Sequence, residues 1–247
     1  MLDKTLKKYK NKISGVIQVG AHIGQEVDKF LKLGDINIYL FEPQKEALIE
    51  LKKYEKYSNV SIFAYGLGNK NENVEFYISD NKVGVASSVL KPKLHLDYFP
   101  EYEFKKKEVI ELKKFSKLKE IDANFLMLDV QGYELEVLKG FEDKIDKIDY
   151  IFTEVSLEEI YEGNTLVNDL DAFLSSKNFQ RVKTSITSNI PMGDALYINN
   201  IKLNPIISYF YYIKSYIKIT NQFLFFNRFK DRKKLMYTIK KKVKKYI

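Results

Sequence analysis

A chain of 247 residues with 45% hydrophobic and 14% aromatic content can bury a full core, and it reads as one domain with an appendage rather than as two equal halves. With no cysteine, a disulfide framework, a thiolate metal site and a cysteine nucleophile are excluded, which fits a reducing compartment. The formal charge of +8 is unevenly placed: residues 205–247 hold 12 Lys and Arg against the single acid Asp231, while the rest holds 29 bases against 32 acids, so the basic excess concerns a tail's partner and not an active site.

The first fourteen residues are lysine-rich, and no apolar stretch of signal-peptide length follows them; no export signal is read and a cytoplasmic location is expected. Val16 to Val19 is a short apolar run that suits a strand buried on both faces, and it breaks into the loop Gly20-Ala21-His22-Ile23-Gly24. Gly20 and Gly24 let the backbone come close to a ligand, and the free N–H groups of the next helix, expected from Gln25 to Leu33 and closed by Gly34, face the same spot. Asn37 to Phe41 reads as a second buried strand ending in Glu42, a carboxylate placed for the two hydroxyls of a ribose. Pro43 suits the first position of a following helix, whose apolar stripe is Ala47, Leu48 and Leu51. Glycine loop, helix, strand and terminal acid in this order point to an adenosine-containing cofactor. Gly20, Ala21, His22, Gly24 and Glu42 are the candidate contacts.

Val60 to Ala64 is a third strand, and Val74 to Ile78 alternates as a hairpin partner outside the main parallel set. Residues 79–105 carry no period and are expected to form a functional loop or lid, or else a surface insertion. Ser87, Ser88, Tyr98 and Tyr102 are its candidate acceptor contacts, and His95 is a conceivable base there or an incidental loop histidine. Glu108 to Leu112 reads as a strand and Phe115 to Ile121 as a short helix. Ala123 to Leu128 is a buried strand delivering Asp129 at its end, with Gly132 turning the chain into a helix over Leu135 to Lys139. Tyr150 to Thr153 repeats the pattern with Glu154. Ligands of an open parallel sheet sit beyond the carboxyl ends of its strands, so Gly20, Glu42 and Asp129 should converge on one crevice. Asp129 is the first candidate for chemistry as well as a cofactor contact. Glu154 is a second partner, a hydroxyl ligand, or with Asp129 half of a divalent-metal site. Glu134 suits the dipole of the helix it opens. Leu166 to Leu174 is an amphipathic helix, and the strands Phe179 to Lys183 and Asp194 to Ile198, having no helix between them, must pair antiparallel.

That last pair separates two candidate folds, because a nicotinamide-binding domain and a class I methyltransferase share the glycine loop and the acid, but the reversed terminal strand belongs to the second. The expectation is an α/β, Rossmann-like class I methyltransferase domain over residues 1–204, with a mostly parallel seven-stranded sheet and a terminal antiparallel strand, followed by a basic helical tail over 205–247. Val-Gly-Ala-His-Ile-Gly at 19–24, Phe-Glu-Pro at 41–43, Asp-Val-Gln-Gly-Tyr-Glu at 129–134 with Leu138 and Gly140, and Thr-Glu-Val at 153–155 together resemble the FkbM-type methyltransferase family over roughly residues 13–200. The resemblance implies S-adenosylmethionine as cofactor and methyl transfer to a hydroxyl, commonly on a sugar or glycan. Gln18 and Gln131 stand where carboxylates are often found, so no carboxylate role carries over to either position. A nicotinamide-dependent oxidoreductase and a noncatalytic binding module that uses the basic tail are the alternatives.

In the tail, Ile206 to Phe226 is aromatic but interrupted by Lys214 and Lys218, which suits an amphipathic helix better than a spanning one. The basic cluster from Arg228 to Lys245 follows directly, a pattern that fits an anionic membrane surface and peripheral attachment at the inner membrane face. Nucleic acid is the rival partner for the same charges, but the segment after Asp129 lacks the proline-aromatic motif of base amino-group methylation. Packing of the aromatic stretch on a second subunit leaves a homo-oligomer open. The intact chain is expected to bind anionic vesicles in a salt-sensitive way, at about 1 kcal/mol per basic residue near the surface, and a chain ending at Asn204 is expected not to. Vesicle co-sedimentation of both chains decides it, since equal retention would move the attraction out of the tail.

Overall fold

The computed structural model describes residues 1–80, 83–186 and 190–202, so the expected basic tail lies outside the described residues. Helix α1 (Leu2–Tyr9) precedes strand β1 (Gly15–Val19), helix α2 (Val27–Leu31), strand β2 (Asn37–Phe41), helix α3 (Lys45–Leu51) and strand β3 (Val60–Phe63). Strands β4 (Gly66–Leu67) and β5 (Glu72–Ile78), the one-turn helix α4 (His95–Tyr98) and strand β6 (Lys106–Lys113) form an excursion. The main pattern resumes with β7 (Phe125–Leu128), α5 (Glu134–Phe141), β8 (Tyr150–Ser156), α6 (Val167–Ser176), β9 (Phe179–Ile186) and β10 (Met192–Asn199).

Seven strands form one sheet in the order β3-β2-β1-β7-β8-β10-β9, with β10 antiparallel to both its neighbours and the pairs from β3 to β8 parallel. β1 and β7 are buried at every position, so both faces of the sheet must be covered. On one face Val137, Leu138 and Phe141 of α5 and Leu170 and Leu174 of α6 pack against Ile17, Leu126 and Ile151. On the other, Leu2 and Leu6 of α1, Val27 and Phe30 of α2 and Leu51 of α3 pack against Val16, Ile38 and Phe125. The reversed strand is last in sequence but lies one place in from the edge, between β8 and β9. The few residues joining β9 to β10 are too short for a parallel crossover, so β10 folds back beside β9.

The excursion makes a second, three-stranded sheet, β4-β6-β5, in which β5 and β6 pair antiparallel as expected of a hairpin outside the main set. Its buried residues Phe76, Ile110 and Leu112 pack with Tyr133 beside the main domain. Several boundaries differ from the sequence reading. α2 begins at Val27, because residues up to Glu26 are held in the turns of the glycine loop. Pro43 precedes α3, which starts at Lys45 with Gln44 before it, since Glu42 fixes the backbone N–H of Gln44 outside the helix. The expected helix over 115–121 is a single 3-10 turn, Phe115–Lys117. α1 was not read from the sequence; its buried residues Leu2, Thr5 and Leu6 are hidden among lysines that face solvent. Among the described residues, no helix is long and apolar enough to cross a membrane.

α5 lies directly on the turn after β4: a Cβ added at Gly140 would stand 2.0 Å from the Gly68 carbonyl oxygen. Gly140 lies in the last turn of α5, so this contact sets how closely the C-terminal end of the helix approaches that turn. Gly140→Ala is expected to destabilise the fold by about 1–3 kcal/mol, the usual range for overpacking. Urea denaturation checks it, and an unchanged midpoint would mean that the turn yields.

Candidate active site

The carboxyl ends of β2, β1, β7 and β8 lie side by side and deliver Glu42, Gly20, Asp129 and Glu154 to one rim of the sheet. A crevice opens there, lined by Gly20, His22, Glu42, Asp129 and Gln131, with Phe76, Ile110 and Leu112 of the second sheet as its apolar wall. Gly20 (φ 78°) must be glycine, because a Cβ there would stand 1.9 Å from the Asp129 carbonyl oxygen; the β1 and β7 loops meet backbone to backbone. Gly24 turns the chain against Tyr54, whose hydroxyl donates to the Gly24 carbonyl, and Ala21 is fully buried, so these two shape the loop from outside the crevice.

Glu42 is held from both sides. Its Oε2 accepts the His22 backbone N–H at 2.7 Å and its Oε1 accepts that of Gln44 at 2.8 Å. Burial raises its carboxyl above the usual range, and these two donors pull it back down. A carboxylate accepts about four hydrogen bonds, so with two used by the chain the remainder can serve a pair of ribose hydroxyls. His22 adopts a left-handed conformation (φ 47°), with Nδ1 accepting from the Gln25 amide and Nε2 donating to the Val83 carbonyl. Beneath the loop, Gln18 is 1% exposed and its Oε1 has no protein partner. A buried acceptor left open is satisfied by a water or by a donor on a ligand.

Asp129 opens onto the crevice and is exposed there, and the loss of water on its protein-facing sides raises its carboxyl. Glu154 stands well above the ordinary carboxylate range, chiefly from burial and then from repulsion by Asp129, Glu134 and Asp194. Gln131 lies between the two: its Nε2 donates to Asp129 Oδ1 at 2.8 Å and to Glu154 Oε2 at 3.3 Å. A donor amide in that gap is the wrong group for a cation site. Among the described residues no cluster of three or more His, Cys, Asp or Glu could hold a metal, so the divalent-metal reading of Asp129 and Glu154 does not fit the residues present.

His95 lies outside this crevice. It is 2% exposed, with its ring among Phe99, Tyr102, Phe104 and Tyr161, and burial lowers it to about 4. Ser88 is spent internally, its hydroxyl donating to the Gln131 carbonyl, and the Ser87 hydroxyl accepts from the Ser79 backbone N–H. The residues to which sequence reasoning gave no role in the site are Gln131, Tyr161, Gln25 and Gln44. Of these Gln131 gave a signal, as the amide in the 129–134 motif where a carboxylate is often found.

Glu134 is 4% exposed, accepts the Gly132 N–H through Oε1 at 3.1 Å, and is raised to about 7 by burial. An acid whose folded value exceeds its unfolded one binds more protons when folded, so its stabilising contribution is complete below about pH 4.5 and is lost as pH rises through about 7. Glu134→Gln should therefore flatten the fall in stability across that interval by an amount on the order of 3 kcal/mol. Urea denaturation at pH 5 and pH 7.5 reads it, and equal slopes in both proteins would discard the assignment.

Comparison with known proteins agrees with this geometry. The family model of the methyltransferase FkbM domain matches residues 18–181. The 2-O-methyltransferase NoeI of Sinorhizobium fredii (strain NBRC 101917 / NGR234) is 24% identical over 161 residues, 60% of this chain and 65% of that protein. The crystal structure of methyltransferase FkbM from Methylobacillus flagellatus KT superposes with a TM-score of 0.52 at 16% identity, covering 75% of this chain and 43% of that one. This chain thus spans less than two-thirds of the length of either relative. With the family match running from β1 into β9 and taking in Glu42, Asp129 and Glu154, the chain belongs to the FkbM methyltransferase family.

Proposed function

We propose that this chain is an S-adenosylmethionine-dependent O-methyltransferase whose acceptor is a hydroxyl of a carbohydrate or glycan. The observation that carries the reading is the flanking of the β1 loop by two carboxylates at one crevice, Glu42 on the β2 side and Asp129 on the β7 side. Glu42 would take the ribose hydroxyls, the Gly20 loop and His22 the amino-acid portion, and Pro43, Leu67, Val130 and Tyr133 the flat faces of the base. Bound there, S-adenosylmethionine supplies a methyl group already activated by its sulfonium. The protein's remaining tasks are to place an acceptor oxygen in line and to receive its proton, and Asp129 is the group positioned for the second. Hydroxyl acceptance is supported by the name of the NoeI relative, a 2-O-methyltransferase. The choice of a carbohydrate rests on the sequence resemblance. Family membership and the reversed β10 weigh against the nicotinamide alternative.

Calorimetry with S-adenosylmethionine, its demethylated product and NAD is the first test: the first two should bind and NAD should not. Absence of binding by all three would favour the noncatalytic alternative. Glu42→Gln is expected to weaken cofactor binding by about 1.5–3 kcal/mol, the range for a hydrogen bond to a charged group. Asp129→Asn keeps the shape and removes the basic oxygen. Transfer of labelled methyl to glycoside acceptors should then fall about a hundredfold or more, with cofactor affinity held within a few fold. Full turnover in that variant would pass the role to Glu154.

A further inference from the structure

Gln131 is over-determined for a residue in a turn. Its backbone is left-handed (φ 53°) and its carbonyl accepts the Ser88 hydroxyl at 2.8 Å. Its side-chain Oε1 lies 2.8 Å from the Tyr161 hydroxyl, which also lies 2.9 Å from the Ala86 carbonyl. Tyr161 is 1% exposed, and burial holds its phenol well above its usual value, so it keeps the one proton that the Gln131 and Ala86 oxygens share. With Asp129 ionised, reversing the amide would set the Gln131 oxygen 2.8 Å from a carboxylate oxygen, so the NH2 group faces Asp129 and Glu154.

We propose that Gln131, oriented by Tyr161, is a positioning residue for methyl transfer: its amide engages Oδ1 of Asp129, ties that carboxylate to Glu154, and leaves Oδ2 as the oxygen that meets the acceptor hydroxyl. The inference rests on the assignment of Asp129 as proton acceptor. Its physical content is twofold. One N–H fixes the carboxyl rotamer, and the same N–H stabilises the ionised form, so it lowers a carboxyl that desolvation raises. Asp129 in turn raises the acids around it: Glu26 follows the β1 loop, Glu42 ends β2, Glu134 opens α5, Glu154 lies on β8 and Asp194 pairs with it on β10. His22 on the loop and Tyr161 are the other titratable groups facing Asp129. Among the described residues that line the crevice there is no Lys or Arg, and the Gln131 amide is a neutral donor standing between the two acids.

Gln131→Met, close in shape but without the donor, tests this in two ways. Carbon-detected NMR titration of the Asp129 carboxyl should show its midpoint raised by about one pH unit, the equivalent of one hydrogen bond to a charged group. The acid limb of log kcat/KM for labelled methyl transfer should move upward by the same interval, with the affinity for S-adenosylmethionine within about threefold of the parent. Tyr161→Phe should shift both readings in the same direction by less, and adding it to Gln131→Met should change neither further, because Tyr161 acts through the amide. A midpoint and acid limb that stay in place in Gln131→Met, whatever happens to turnover, would reduce Gln131 to a structural turn residue and overturn the proposal. If Gln131→Met fails to fold, the Tyr161→Phe titration decides alone, and an unmoved midpoint there also overturns it. The NMR midpoint needs neither cofactor nor acceptor. Failure of the methyltransferase reading would show as loss of cofactor binding in the parent chain and is separate from this outcome.

Discussion

β1 and β7 lie together at the centre of the sheet and are buried at every position, so neither can present a charged group until it ends. Everything polar that the domain needs is thereby displaced to the carboxyl rim. There the backbones of the two following loops come so close that Gly20 has no room for a side chain beside Asp129. This contact fixes the spacing between the loop that faces the crevice and the acid beside it. Glu42 adds the second fixed point, since its carboxylate holds the His22 N–H of the β1 loop and the Gln44 N–H of its own turn. Two loops from different strands are thus tied through one side chain, and the crevice between them is set before any ligand arrives.

What the sequence made legible follows from the same constraint. An apolar run that ends in an acid can be read without a structure, and Glu42, Asp129 and Glu154 each end such a run. The reversed β10 was readable because a short connection between two strands forces antiparallel pairing, whereas the order of the seven strands was not read from the sequence. Gln131 and Tyr161 meet across thirty residues through a hydroxyl and an amide, and His22 reaches Val83 across sixty-one. No period or spacing encodes contacts of that kind. His95 shows the opposite failure, since a histidine in an irregular stretch looks available, and here four aromatic rings enclose it. The length of α2 misled for a local reason: Val27 and Phe30 do face the core, but the preceding residues are taken by the turns of the loop.

Charge at the rim has a cost that the fold carries. Asp129, Glu134, Glu154 and Asp194 all stand above their usual values, each chiefly because of burial, and Glu154 additionally because the other three surround it. Of the four only Asp129 lines the crevice, so it is the one that a bound cation, such as the sulfonium of the reading proposed above, would meet directly.

The wall of the crevice is fastened to the same loops. Val83 and Gly84 both adopt positive φ, at 61° and 76°, a conformation that costs a β-branched residue on the order of 1–3 kcal/mol. The Val83 carbonyl accepts from both His22 Nε2 and the Gln44 amide. Those two residues are also the ones whose backbone N–H groups Glu42 holds. Strain at Val83 is therefore offset by hydrogen bonds from the same two residues that Glu42 holds. Gly84, Val85, Ser87 and Val89 then line the crevice, while the Ala86 carbonyl and the Ser88 hydroxyl bond Tyr161 and Gln131 on the Asp129 side. The arch over the crevice is thus fastened at one end to the loops that Glu42 holds and at the other to the residue that holds Asp129.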